Sequence, residues 1–475
     1  MNKYKTLLVN IGLFTINAVS TKLITFFLIP LYTYFLSTQE YGITDMSLTV
    51  AGLISPVVVA SINDSVVRFI IDDKKNAQKY ITIGFWISCV GCLISAALLP
   101  VLDLDIFGGL GDYKGLFFIY FVITLFSSFF SNTARGLNQI KLITWTSIIS
   151  SLVSAASAGI LIGLLRFKVD GYFYSLSLGG FVSIILFVFA GKVYRYIRFP
   201  SLKKDKYLER MLIYSFPLIP NAIFWWAGTS INRFFITSVL GIGASGLFAA
   251  ASKIPNVMNL VSSTFWQAWS LSAFQEYKTT GITKFFSNIF MVFRIICTLF
   301  ASLIIALTPF IASILLQKQF YTAWPLIPLL ILAFFFNVLA GFYGTVFTTA
   351  MKTSMLFWTT VISAIAVIVF TALFIYPYGL YGAALAMIIS NIVMLISRVF
   401  LSSKVLDIQV NGKIVLPSIL LLVSQTVIVS AQIPNYTIFS IITFILLLIL
   451  SIFEVLPLAK QFIVSHNKMR SHFLK

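Results

Sequence analysis

The sequence predicts an all-α polytopic membrane protein with about fourteen spanning helices, and three observations carry that expectation. Of 475 residues, 59% are hydrophobic and only 10% charged, more apolar surface than a water-soluble domain of this length can hide. The apolar residues are gathered into runs of roughly twenty, the length a helix needs to cross the hydrocarbon layer. The basic residues alternate in sidedness: twenty-five Lys and Arg fall in the termini and even-numbered connections, against Lys114, Arg166, Lys168 and Lys318 in the odd-numbered ones. Positive charge is retained on the cytoplasmic side, so both termini are expected there and the helix count is expected to be even.

Taken in order, the spans are expected at 7–36, 43–69, 80–102, 114–134, 142–165 and 172–192. They continue at 211–239, 245–272, 285–316, 324–350, 355–376, 380–403, 413–431 and 436–457. The first resembles a secretory leader, with Lys3 and Lys5 ahead of an apolar run and Ala18-Val19-Ser20 as a cleavage site. The run continues past Lys22 to Leu36, long enough to span, and is read as the first helix. The most basic connection, Lys192 to Arg210, follows six helices. Beyond it the opening pattern recurs: Asn17-Ala18, Thr33, Leu36 and Gly42 match Asn221-Ala222, Thr237, Leu240 and Gly246 at a constant offset of 204. This divides the chain into two six-helix lobes, 1–200 and 201–405, related by a parallel repeat, with helices 13 and 14 and a cytoplasmic tail at 406–475.

Charge inside the apolar runs marks the candidate site. Lys22 falls near the middle of helix 1, Arg233 in the outer half of helix 7, Lys253 in the outer half of helix 8, and Arg294 two turns into helix 9. A cation at the bilayer centre costs about 2.5–3.5 kcal/mol on insertion scales, so each needs a partner, a wet cavity or an anionic ligand. Arg294 can instead snorkel to the interface. Lys22, Arg233 and Lys253 have no acid within a turn of their own helices. Helix 1 carries Asn10, Asn17 and Thr21 on one face, and helix 7 carries Asn221, Trp225, Thr229 and Asn232 on one face. Such stripes serve either as interhelical glue or as the lining of a shared cavity. Asp45 and Asp64 lie near the two ends of helix 2. Asp64 is spaced to pair with Arg68 one turn on, and these two acids are the candidates for ion coupling.

Other features point to packing or to loops. Cys89 and Cys92 form C-x-x-C within helix 3, yet the two histidines lie in the tail, so packing is expected and no metal site. Trp266 and Trp269 read as an interfacial aromatic belt rather than a sugar platform. Asp103, Asp105 and Asp112 read as an exposed loop rather than a calcium site. No Walker motif is present, so ATP hydrolysis is not supported. The net charge of +19 is dispersed over short connections, which argues against nucleic acid as a partner.

Ser215 to Pro220 (S-F-P-L-I-P), Asn232-Arg233-Phe234 and Leu240-Gly241, set in this helix pattern, resemble the polysaccharide biosynthesis branch of the multidrug/oligosaccharidyl-lipid/polysaccharide (MOP) exporter superfamily. Within it the chain is most similar to O-antigen or capsule repeat-unit flippases of Wzx type. The resemblance implies lobes forming a V around a central cavity, in the bacterial inner membrane. It also implies transport without a cofactor of undecaprenyl-pyrophosphate-linked oligosaccharide to the outer leaflet, with proton or sodium coupling. In that reading Lys22, Arg233, Lys253 and Arg294 attract the pyrophosphate, and the polar stripes face the sugars. A polysaccharide polymerase and a chain-length regulator are the implied partners. Many relatives have Asp-Arg before the phenylalanine, and here Asn232 replaces that acid, which is expected to leave Arg233 with unbalanced positive charge that favours an anion, and gives no basis for carrying ion coupling over to position 232. The alternatives are a peptidoglycan-precursor flippase, a multidrug exporter of the same superfamily, or a membrane glycosyltransferase or polymerase. The exporter should hold buried acids for a cationic substrate, and the enzyme an acidic metal motif or a large outer loop.

Overall fold

The computed structural model describes residues 24, 26–199, 206–259, 262, 265, 266, 269, 273 and 281–473, those from 457 onward by backbone alone. Among the described residues the chain forms sixteen α-helices and no β-strand. Ten helical segments among them are long and apolar enough to cross a membrane. The chain packs as two compact units: residues 1–253, 314–321 and 364–383 form unit 1, and 254–313, 322–363 and 384–475 form unit 2. Contact and repeat are different properties, and by contact residues 206–253 belong with the first six spans.

Unit 1 contains α1 (Ile29–Phe35), α2 (Thr38–Val58), α3 (Ile62–Asp72), α4 (Ala77–Leu98), α5 (Lys114–Gly136), α6 (Ile140–Ala158) and α7 (Lys168–Phe189). It continues with α8 (Lys206–Ser215), α9 (Leu218–Ser230), α10 (Asn232–Leu240) and α11 (Ile242–Lys253). Helix α2 begins earlier than expected because Ser37 and Glu40 form a reciprocal capping box: the Ser37 hydroxyl accepts from the Glu40 N–H, and the Glu40 carboxylate accepts from the Ser37 N–H at 2.7 Å.

Two expected spans are broken. Span 2 ends at Val58 in a Schellman motif, the Ser61 N–H donating to the Pro56 carbonyl and the Ala60 N–H to that of Val57. Ala60 and Ser61 take positive φ, 50° and 49°, and α3 then starts afresh. Because alanine in this left-handed conformation costs roughly 1 kcal/mol that glycine avoids, Ala60→Gly is expected to raise the thermal unfolding midpoint of the purified protein. Span 7 is divided because Pro217, which has no N–H, stands at the N-cap of α9, with Pro220 still inside its first turn, where proline is tolerated.

In unit 1, α2 and α11 cross at close quarters. A methyl on Gly42 would overlap the Ile242 carbonyl oxygen, and one on Gly246 would overlap the Thr38 carbonyl and crowd the Gly42 nitrogen. Only residues without a Cβ allow these backbones to meet. The aromatic core beside them, including Tyr80, Phe121, Phe129, Phe173 and Phe187, is fully buried.

Unit 2 is built on α12 (Ile282–Leu315), α13 (Leu326–Thr349), α14 (Thr353–Ser402), α15 (Gly412–Ser430) and α16 (Tyr436–Phe473), although short pieces of α12 and α14 belong to unit 1. Helix α14 covers expected spans 11 and 12, which meet at a kink: Pro377 lies inside it, and Gly379 has φ 55°. Polar side chains tie the helices of unit 2 together. Gln425 accepts from the Ser302 hydroxyl at 2.6 Å and donates to that of Ser440 at 2.7 Å.

Two sequence readings change in unit 2. Arg398, counted with the basic connections, is buried and donates to the Ala340 carbonyl and the Thr359 and Thr360 hydroxyls. Gly344 leaves the room its guanidinium fills. Trp269 is no interfacial anchor either. It is buried, stacked on Phe342 at 5.1 Å, and its indole donates to Thr345. Its polar edge is satisfied by protein, so it has no need of the headgroup layer. The three cysteines are free thiols.

Candidate functional site

The α2–α11 crossing positions the charges. One turn beyond Gly42 on α2 stands Asp45, and two turns beyond Gly246 stands Lys253, the last residue of α11, where the helix dipole favours a cation. Lys253 Nζ lies 3.6 Å from one Asp45 carboxylate oxygen, and Arg233 Nε, on α10, donates to the other at 3.3 Å. One carboxylate thus serves two cations, one on each oxygen. The Asp45 side chain is 7% exposed, that of Arg233 14% and that of Lys253 27%.

The surroundings hold this arrangement in place. Arg233 stacks over Phe248 at 5.6 Å and donates to the Thr229 carbonyl at 3.3 Å. Trp226 donates its indole N–H to the Thr49 carbonyl at 2.9 Å, and Thr49 donates back to the Asp45 carbonyl. Neither Trp226 nor Phe248 was singled out by the sequence. Only the seven-residue spacing of Trp226 from Arg233 signals either of them.

Lys253 also faces a cavity of about 330 Å³ within unit 1. Its walls are rich in hydroxyls: Tyr32, Tyr41, Tyr120 and Tyr172, with Thr124, Ser150, Ser151 and Ser154. The rings of Tyr32 and Tyr172 meet edge to face at 5.2 Å. With two cations to one carboxylate, the cluster carries a formal excess of one positive charge beside neutral hydrogen-bonding groups. Such an environment favours an anion and disfavours a free cation.

The other sequence candidates fall as follows. Lys22, Asn10, Asn17 and Thr21 lie outside the described residues. Asn221, Trp225 and Thr229 are exposed, but Asn232 is buried and accepts a hydrogen bond from Thr371 at 3.0 Å. Asn232 is therefore engaged within the protein and does not share the exposure of the other three. The charge expected to be left unbalanced on Arg233 by asparagine at 232 is met by Asp45 instead. Arg294 belongs to unit 2, where it is buried against Glu454, its Nη2 donating to that carboxylate, so it does not snorkel. The expected Asp64–Arg68 pair is not formed. Arg68 pairs with Asp72 at 3.2 Å, one turn toward the C-terminus, where both side chains stay about half exposed and hydrated.

Comparison with known proteins adds the family. The sequence matches the polysaccharide biosynthesis protein family over residues 7–270, more than half of the chain and the whole of the Asp45–Arg233–Lys253 cluster. The chain belongs to this family. No curated protein matches the sequence. Among solved structures, the fold of this family member is similar to the lipid II flippase MurJ in an inward closed conformation. The TM-score is 0.70 at 16% identity, covering 94% of this chain and 99% of that one. It is also similar to an inward-facing multidrug resistance MATE family transporter of the MOP superfamily, with a TM-score of 0.63 at 16% identity over 82% and 97% of the two chains. A third similar structure is a MOP superfamily transporter from Pyrococcus furiosus described as having a binding pocket of reverse polarity. It has a TM-score of 0.60 at 15% identity, covering 83% and 95%. At such identities the likeness establishes the fold: this family member is an all-α protein with a MOP-transporter-like architecture.

Proposed function

We propose that this protein is a flippase that moves a polyprenyl-pyrophosphate-linked oligosaccharide, a precursor of surface polysaccharide, from the inner to the outer leaflet of the bacterial inner membrane. The observation that carries this reading is the cationic excess at Asp45, Arg233 and Lys253 beside the hydroxyl-lined cavity, inside the stretch matched to the polysaccharide biosynthesis family. A drug exporter for cations would need the opposite sign. Lys253 attracts a phosphate oxygen while Asp45 keeps the empty site from holding two unneutralised cations at depth. The phenol and serine hydroxyls hydrogen-bond the neighbouring part of the head group, and the lipid tail stays in the bilayer. Alternating access moves the loaded site between the two leaflets.

The shared carboxylate makes the test clean. Arg233→Ala leaves Lys253 to neutralise Asp45, and Lys253→Ala leaves Arg233 to do so. Either substitution removes the positive excess without stranding a buried charge. Each is expected to lower surface polysaccharide about tenfold or more in a flippase-null host, with normal protein level in the membrane and lipid-linked oligosaccharide accumulating on the inner leaflet. Full complementation by both variants would remove the anion-binding assignment. Asp45→Asn tests coupling: the reading assigns Asp45 to charge balance, so transport by this variant is expected to keep the wild-type dependence on pH and sodium.

A further inference from the structure

A second polar cavity, of about 450 Å³, lies within unit 2 and has no part in the site above. Its wall is one face of α12, where Lys284, Asn288, Met291 and Arg294 follow at helical spacing, and its opposite side is formed by Gln409 and Asn411 ahead of α15, with Glu454 of α16. Lys284, Gln409 and Asn411 are exposed and form the rim, while Arg294 and Glu454 are buried. The Ser287 hydroxyl fixes the 409–411 segment against α12 by accepting the Gln409 N–H at 2.9 Å.

The charges again do not balance. Arg294 and Lys284 face the cavity with Glu454 as the one carboxylate lining it. Among the described residues the Arg294 guanidinium makes one hydrogen bond, from Nη2 to Glu454. Most of its five N–H donors are therefore without an acceptor among the described residues. Around them stand the amides of Asn288, Gln409 and Asn411, which donate to anions without adding charge. The lining suits a single negative charge with several acceptor oxygens, the chemistry of a phosphodiester.

The sequence supplies the level. Lys284, and Lys404 and Lys413 on either side of the 409–411 segment in sequence, belong to the basic set expected on the cytoplasmic side, where anionic head groups lie. We propose that this cavity binds the phosphodiester head group of an anionic membrane phospholipid, assigning Arg294 to a lipid rather than to the transported pyrophosphate. Phe290 and Met291 give the glycerol and the first methylenes an apolar wall.

The test is native mass spectrometry of the full-length, delipidated protein titrated with phosphatidylglycerol or with phosphatidylcholine of the same acyl chains. The wild type is expected to retain phosphatidylglycerol at least about fivefold more tightly, the preference that one well-placed cation near a head group provides. Lys284→Ala with Asn411→Ala should abolish the preference, whereas Lys404→Ala, an exposed cation outside the cavity, should keep it. Millimolar inorganic phosphate separates the two sources of this chemistry. Lipid that stays bound confirms a phospholipid site, and displacement makes the occupant a soluble phosphate and overturns the lipid assignment. Equal retention of the two lipids by the wild type, or equal loss of preference in Lys404→Ala, overturns the site altogether. None of these outcomes depends on transport, so they stand apart from the flippase reading.

Discussion

Replacing Arg294 with methionine is expected to destabilise the protein by about 3–5 kcal/mol, the cost of leaving the buried Glu454 carboxylate without its cation. The side chains are 3% and 5% exposed, so water compensates little. Removing both charges, in Arg294→Met with Glu454→Leu, is expected to recover most of the loss, since a buried ion pair adds little over apolar residues of similar size. Thermal unfolding in detergent measures both variants. If the double variant is no more stable than Arg294→Met, the pair is not the source of the loss. The contrast with Arg233 is informative. There a second cation stands by, and loss of one should cost function and little stability.

The second large effect is expected at the helix crossing. Gly246→Val and Gly42→Val each place carbon where backbone atoms of the facing helix already lie. Backbone cannot rotate aside as a flexible side chain can, so α2 and α11 must separate, at a cost of about 3 kcal/mol or more. That separation also moves Lys253 from Asp45, so surviving protein should lose surface polysaccharide as Lys253→Ala does. Gly115→Ala is the matched control: a methyl there meets nothing within 4 Å, and wild-type stability and transport are expected. A Gly246→Val variant that unfolds and transports as the wild type does would show that the crossing tolerates a wider spacing.

The membrane class and the run of spans were legible because they depend on local composition, which lipid imposes residue by residue. The breaks inside spans 2 and 7 were not read from the sequence, although Pro56 and Pro217, which lack an N–H, stand beside them, as Pro377 and Gly379 stand at the kink of α14. The partners of the buried cations were not legible. Arg233 meets an acid 188 residues away and Arg294 one 160 residues away, whereas a search within one helical turn sees only neighbours. Arg68 illustrates the limit on the local scale, with acids one turn away on both sides at Asp64 and Asp72. Spacing allows either, and the structure pairs Arg68 with the second. A search by depth would have helped, since Asp45 and Glu454 are the acids found buried among the described residues.

Gly42 and Gly246 occupy matching places in the 204-residue offset, and each packs against the other. If the two segments descend from one, a position that touches its own copy lies on the axis relating them, as in a two-fold dimer interface. One ancestral glycine would then have opened both sides of the crossing at once. The charges beside it do not share that symmetry. The counterpart of Asp45 is Ala249, that of Lys253 is Thr49, and that of Arg233 is Ile29. On this offset the acid and both cations fall on one side of the correspondence and apolar or hydroxyl residues on the other, so the ion cluster belongs to this chain's sequence and not to the repeat.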